Sequence, residues 1–241
     1  MSKNTRKKLL VFITVLSLSM LACIVTGRSG RVVEQREVIP VNGLESAEIT
    51  LRMGAGKLEV SSGTNDLMEG VFTYNDRNYA PVLDYVETGS GSGELVVEQE
   101  EIRSFNLRKN YTLEWDLAFT GDIPLDMYIS LGAGEAELDA SGLNLSAFEL
   151  DMGAGEATLV LPEQIERDLE VSIQGGVGQL NVEIPEDISV YADVAGGLGE
   201  VEVYGMMQDG RSYYTPDYEE GAPTVYLDIE GGVGEINLEV Q

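Results

Sequence analysis

Carboxylates dominate the reactive side chains of this sequence, and they recur in a fixed place. Asp and Glu number 42 against 15 Lys and Arg, there is no histidine, and Cys23 is the only cysteine. Without histidine there is no His general base, no Ser-His or Cys-His nucleophile pair and no His metal ligand. One thiol excludes an intrachain disulfide, a Cys-x-x-Cys redox pair and a cysteine-rich zinc site. What is left is carboxylate chemistry. The residue after the last glycine of a recurring cluster is, in turn, Lys57, Glu135, Glu156, Gln179, Glu200 and Glu235. Stacked in a column, Glu135, Glu156, Glu200 and Glu235 are candidates for a cation site, and Ca²⁺ is the ion whose taste for oxygen ligands fits them; the alternative is a solvated acidic face. No other cofactor is expected. Paired carboxylates could also serve a glycosidase, but that chemistry needs an acid and a base or nucleophile converging in a cleft, and here the acids are spread almost evenly along the chain. Nucleic acid is not expected as a partner, because phosphate contacts need a basic face and the formal net charge is −27.

A second set is aromatic. Tyr213, Tyr214 and Tyr218 gather in residues 205–223 with Pro216, Met206 and Met207. Flat aromatic faces can hold a sugar or a protein partner; the same cluster could instead cap the last structural repeat. Trp115, the only tryptophan, stands in an alternating run and reads as core.

The third set is Cys23 and its surroundings. Residues 1–8 carry Lys3, Arg6, Lys7 and Lys8, and residues 9–25 are free of charge. A basic stretch followed by an apolar one is the layout of a secretory signal. Met20-Leu21-Ala22-Cys23 resembles a bacterial lipobox, in which Cys23 carries a lipid after cleavage, although Met20 and Leu21 depart from its usual residues. The alternatives are an uncleaved anchor, since about 17–25 apolar residues can span a bilayer, and cleavage further on with release. Removal of residues 1–22 would leave 11 cations and 42 anions, a charge of −31.

These sets are positioned by a repeat. Gly-Ala-Gly or Gly-Gly-x-Gly followed by polar-apolar alternation recurs, with last glycines Gly56, Gly134, Gly155, Gly178, Gly199 and Gly234. From Gly134 the intervals are 21, 23, 21 and 35 residues, the last being one repeat plus the insertion at 205–223. Alternation on both sides of each cluster predicts two half-buried strands per repeat. A unit of ~22 residues cannot bury its apolar face alone, so stacking into a continuous core is the economical solution. The expected fold is all-β: a β-solenoid of ~22-residue rungs, with glycine at each corner where φ is positive and a side chain would strike the next rung. A sandwich of tandem hairpins is the alternative. Residues 64–122 break the period, with strand-like runs at 68–74, 94–100 and 111–119, and they include the polar loop Gly89-Ser90-Gly91-Ser92-Gly93, where Gly91 should tolerate a side chain. The organisation expected is a signal peptide or anchor at 1–22, a tether at 23–40, an N-terminal β-subdomain at 41–123 acting as cap, and glycine-cornered solenoid repeats at 124–241.

Gly-Gly-x-Gly also occurs in calcium-binding nonapeptide repeats, where an Asp two positions after the last glycine is the ligand. Leu180, Val201 and Ile236 stand there instead, and the period is not nine. A different resemblance covers over half of the chain. Trp115-Asp116-Leu117, Ile123-Pro124-Leu125-Asp126, Leu131-Gly132-Ala133-Gly134-Glu135, Leu138 to Leu143, the Gly-Gly-Val-Gly strands and the loop from Asp209 to Tyr218 are similar, in that order, to the bacterial toast-rack domains of unknown function. These are related to the C-terminal domain of LiaF-type cell-wall-active antibiotic response proteins. The resemblance implies a β-rich domain of the cell envelope and carries over no catalytic residue.

The function expected is that of a non-enzymatic scaffold or interaction surface, tethered to the membrane on its extracytoplasmic side by the N-terminal lipid or anchor. Its expected partner is an envelope protein or glycan. A sensor or modulator of an envelope-stress system is the first alternative, and a polysaccharide-active enzyme the second. The mature chain is expected to begin at a lipidated Cys23, with Cys23→Ala leaving protein that is unprocessed or released. Mass spectrometry of the membrane fraction checks this, and an intact, unlipidated N-terminus there would leave the uncleaved anchor.

Overall fold

The computed structural model describes residues 31–88, 91–99, 111–216, 218 and 221–241. Fourteen strands join in one hydrogen-bonded network, and a 3-10 turn at Arg77–Tyr79 is the helical element among the described residues. The repeats fold as expected from their alternation. β2 (Ser46–Ser62), β7 (Leu125–Asp139), β8 (Leu145–Val160), β9 (Leu169–Ile184) and β14 (Val225–Val240) are long strands, each carrying a glycine corner between two legs. They pair in parallel with the corner glycines in register: Gly56 with Gly134, Gly134 with Gly155, Gly155 with Gly178, and Gly178 with Gly234. β10 (Val190–Ala195) and β11 (Leu198–Tyr204) are the two legs of one further rung, with Gly199 beside Gly234.

Inward residues of both legs meet to make the core. In β7 these are Met127, Ile129 and Leu131 before the corner and Ala136 and Leu138 after it, all buried. The alternation shifts phase at the glycine, so that each leg turns its apolar side to the same interior. Burial of each large aliphatic side chain contributes roughly 1.5–3 kcal/mol. Side-chain volume is traded across the corner. Leu131 and Met152 face small residues on the second leg, Ala136 and Ala157, whereas Gly175, Gly231 and Gly196 are followed by Leu180, Ile236 and Val201. A Cβ on Gly231 would lie 2.7 Å from Ile236 Cδ1, and one on Gly196 2.8 Å from Val201 Cγ2, so the second leg has taken up the space. The return from one rung to the next is a tight turn, in which Ser141 N–H donates to the Asp139 carboxylate (3.0 Å) and Leu143 N–H to the Ala140 carbonyl (2.9 Å).

The rungs do not stack in chain order throughout. β14 lies between β9 on one side and β10 with β11 on the other. The 35-residue interval is therefore the length needed to go out to the terminal rung and come back inside it. A reason lies in continuity. β14 is an unbroken 16-residue strand that pairs with β9 from Val225 to Val240, while the rung of β10 and β11 is interrupted at Gly196-Gly197 and leaves fewer partners unmet at the end of the stack. Residues 205–223 supply β12 (Met207–Asp209) and β13 (Ser212–Tyr214), which add antiparallel strands to the free side of β10.

At the opposite end, β5 (Ser92–Gln99) and β6 (Leu113–Phe119) pair in parallel with the first and second legs of β2, like one rung divided in two. β4 (Pro81–Glu87) adds antiparallel to β5, β3 (Met68–Tyr74) to β6, and β1 (Val33–Ile39) to β3. Trp115 is core, meeting Phe72 edge-on at 5.6 Å.

The corners bring backbone against backbone. Gly56, Gly134, Gly155, Gly178 and Gly234 have φ between 139° and 152°, a region that belongs to glycine, whereas Gly199 in the terminal rung lies outside the positive range. A Cβ on Gly134, Gly155, Gly178, Gly234 or Gly199 would be driven into the carbonyl oxygen of the corner glycine one rung away. A second column behaves alike: Gly132, Gly153, Gly176, Gly232 and Gly197 each face the carbonyl of the equivalent glycine in the adjacent rung. Gly91 departs from expectation, because its φ of 79° would strain any side chain placed there. The permissive glycine is Gly175, which has no heavy atom within 4 Å of a built Cβ and sits beside a cleft of about 40 Å³. Gly178→Ala should therefore cost on the order of 3 kcal/mol in urea denaturation and Gly175→Ala within about 0.5 kcal/mol; equal losses would show that the close approach is not what restricts the corner.

Candidate outward interaction faces

The column after the corner glycines runs in the order Lys57, Glu135, Glu156, Gln179, Glu235, Glu200 on the outside of the second leg. Glu135 and Glu156 are register neighbours, as are Glu235 and Glu200, and Gln179 separates the two pairs. Lys57 leads the column and turns to the next one, placing Nζ 2.6 Å from Glu59 and 2.8 Å from Glu137. Those hydrogen bonds hold its ammonium well above the usual lysine range, and the Lys57 hydrogen bond holds the Glu137 carboxyl below its own. Further along, amides link the rungs: Asn181 donates to Thr158 Oγ1 (3.4 Å) and Asn237 to Asn181 Oδ1 (3.0 Å). Among the described residues no group of three or more His, Cys, Asp or Glu side chains could hold a metal ion. Cys23 lies outside the described residues.

The three tyrosines of residues 205–223 are divided by strand alternation. Tyr213 pairs with Ala192 and packs against the core, accepting a hydrogen bond from Gln208 Nε2 at 3.2 Å. Tyr214 pairs with Tyr191, which pairs in turn with Tyr226. Tyr218 joins them, with ring centroids 6.0 Å from Tyr214 and 5.8 Å from Tyr191; Tyr191 and Tyr226 are 6.5 Å apart. Thr215 anchors the turn from below: fully buried, it donates to the Ile188 carbonyl (3.1 Å) and accepts from Val190 N–H (3.0 Å). The outward platform is thus Tyr191, Tyr214, Tyr218 and Tyr226. The signal for Tyr191 and Tyr226 was available in the sequence, since each stands out of phase with inward neighbours, Val190 and Ala192 or Val225 and Leu227. Neither belongs to the insertion, and only the pairing of β10 with β13 and β14 brings them to it.

The same outward side of the first legs carries Arg52 toward the other end of the stack. Its guanidinium lies 6.0 Å from the centroid of Tyr128 and 3.9 Å from Glu98, and Tyr128 OH donates to Asp151 at 2.8 Å. That hydrogen bond, with burial, raises the Tyr128 phenol above its ordinary pKa.

No curated protein matches the chain in sequence. Among solved structures, a candidate cell adhesion protein of Clostridium sporogenes is 31% identical, with a TM-score of 0.83 over 88% of this chain and 100% of that one. A candidate adhesin of Bacteroides fragilis matches at 12% identity and a TM-score of 0.34, over 86% of this chain and 97% of that one. Residues 28–183 match the family described as the N-terminal domain of toast_rack, DUF2154. With well over half of its length inside that match, on a stack of parallel rungs hinged at in-register glycines, the chain belongs to the toast-rack family.

Proposed function

We propose that this protein is a non-enzymatic interaction module of the bacterial envelope, held on the extracytoplasmic side of the membrane by a lipid on Cys23 or by residues 9–25. The solenoid is the rigid support and the tyrosine platform is the contact surface. The observation that carries this reading is the platform itself: four aromatic rings on one outward face, drawn from β10, β13, β14 and the turn after β13. Aromatic side chains supply large contact area at a low cost in conformational entropy. The similarity to a candidate cell adhesion protein supports the same class of role. Carboxylates are arranged in outward columns along the rungs, an arrangement that suits recognition better than the converging acid and base of a glycosidase. No helix among the described residues is long and apolar enough to cross a membrane, so in this reading the tether lies in the N-terminal residues.

The test is sedimentation of purified protein with washed envelope fragments. Tyr191→Ala combined with Tyr226→Ala should reduce bound protein at least about tenfold, as expected when aromatic anchors at the centre of a contact are truncated, while the melting temperature falls by no more than about 3 °C. Undiminished binding by a folded double variant would show that the platform is not the contact surface.

A further inference from the structure

We infer that the tyrosine platform takes a cationic ligand, an arginine-bearing segment of a partner protein. This rests on the platform being the contact surface and adds the chemistry of what it contacts.

The first observation is what stands beside the rings. Asp193 is two residues from Tyr191 on the same outward face of β10, and Asp228 is likewise beside Tyr226 on β14; the two aspartates are register partners and both are exposed. Glu170 of β9, also exposed, is the register partner of Tyr226. With neighbouring strands ~4.8 Å apart and alternate residues ~6.6 Å apart along a strand, the row Tyr214, Tyr191, Tyr226 ends at Glu170 and is flanked by Asp193 and Asp228. Ring faces carry negative quadrupole charge, and carboxylates beside them add to the attraction for a cation.

The second observation is charge. From Asp139 to the end of the sequence there are 22 carboxylates and two cations, Arg167 and Arg211. Among the described residues, the ion pairs join Arg36 to Glu34, Arg52 to Glu98, and Lys57 to Glu59 and Glu137, so no carboxylate beyond Glu137 is paired with a cation. The field over this end of the molecule favours a positively charged partner and repels an anionic lipid surface or an acidic glycan.

The third observation is that the fold already seats one such group. On the same side of the stack, Arg52 lies over Tyr128 with Glu98 beside it and Asp151 on the phenol. At the tyrosine platform the rings and acids are repeated, and the cation is to come from outside. Guanidinium is the better fit than ammonium, because its plane stacks on a ring while its edge pairs with a carboxylate.

The experiment uses the full-length chain in a neutral detergent at 150 mM NaCl and a fluorescein-labelled peptide of four arginines alternating with glycine. Lysine and citrulline versions of the peptide and a neutral N-acetylglucosamine tetramer are measured beside it. The arginine peptide should bind, the lysine peptide several-fold more weakly, and the citrulline peptide with no measurable saturation. Tyr191→Leu with Tyr226→Leu, and separately Asp193→Asn with Asp228→Asn, should each weaken arginine-peptide binding at least tenfold. Glu163→Gln with Glu166→Gln removes the same charge outside the platform and should change it by less than twofold. The aspartate pair is exposed and keeps the test valid if the tyrosine pair does not fold. Equal weakening by both carboxylate pairs would reduce the effect to diffuse attraction and overturn the inference. Tyrosine-dependent binding of the N-acetylglucosamine tetramer without arginine-peptide binding would also overturn it while leaving the platform as a contact surface; loss of the contact surface itself is read separately, from the envelope-fragment assay.

Discussion

The structure depends on how closely one backbone can approach another at the corners. In two adjacent columns, a glycine of each rung lies against the carbonyl of its counterpart in the next, where even one methyl group would collide. That contact is possible only because the glycine that faces the carbonyl lacks Cβ, and it is repeated through the stack. Its first consequence is register. Once the glycines are aligned, every residue before and after them is aligned too, and a slip of one residue would turn the apolar side of a leg outward. Its second consequence is that strand pairing skips one position at the corner and resumes in the same register, with Leu131 opposite Met152 before it and Ala133 opposite Ala154 after it.

Stacking in register converts local alternation into columns, and the columns explain most of the surface. Identical or related residues fall beside one another, which is tolerable for amides and costly for like charges. The molecule mixes devices to manage this. Lys57 stands at the head of the acidic column and binds Glu59 and Glu137 of the next one, Gln179 interrupts the acidic column, and the Thr158, Asn181 and Asn237 ladder replaces charge with hydrogen bonds in the other. The ends of a solenoid pose the other problem, because an open edge invites further strands. One end is finished by antiparallel additions on both legs, β4 on β5 and β3 with β1 beyond β6. At the other end the short strands β12 and β13 cover β10, and β11 carries Glu200 and Glu202.

That end is also where the aromatic face forms, and the two facts are connected. Inserting β14 inside the terminal rung places Tyr226 next to Tyr191, and the pairing of β13 with β10 places Tyr214 on the other side of Tyr191, with Tyr218 against Tyr191 and Tyr214. A stack in simple chain order would have put β10 against β9, with Tyr191 beside Glu170 in place of Tyr226. The device that closes the stack therefore also builds its most distinctive surface.

Much of this was determined by the sequence alone. Period, strand alternation, corner glycines, the core role of Trp115 and the toast-rack resemblance all follow from residue types at fixed spacing, because each is a property of one rung or of identical neighbours. The sequence also placed Glu135 beside Glu156 and Glu200 beside Glu235. It did not reveal that β14 enters the stack before β10 and β11, since the neighbour chosen by a strand is settled by competition among edges far apart in the chain, and a continuous 16-residue strand satisfies more backbone groups than a broken one. Nor could it separate Tyr213 from Tyr214: adjacent residues in a strand point to opposite sides, but which side is the interior depends on the partner, and only the pairing of Tyr213 with Ala192 and of Tyr214 with Tyr191 decided it.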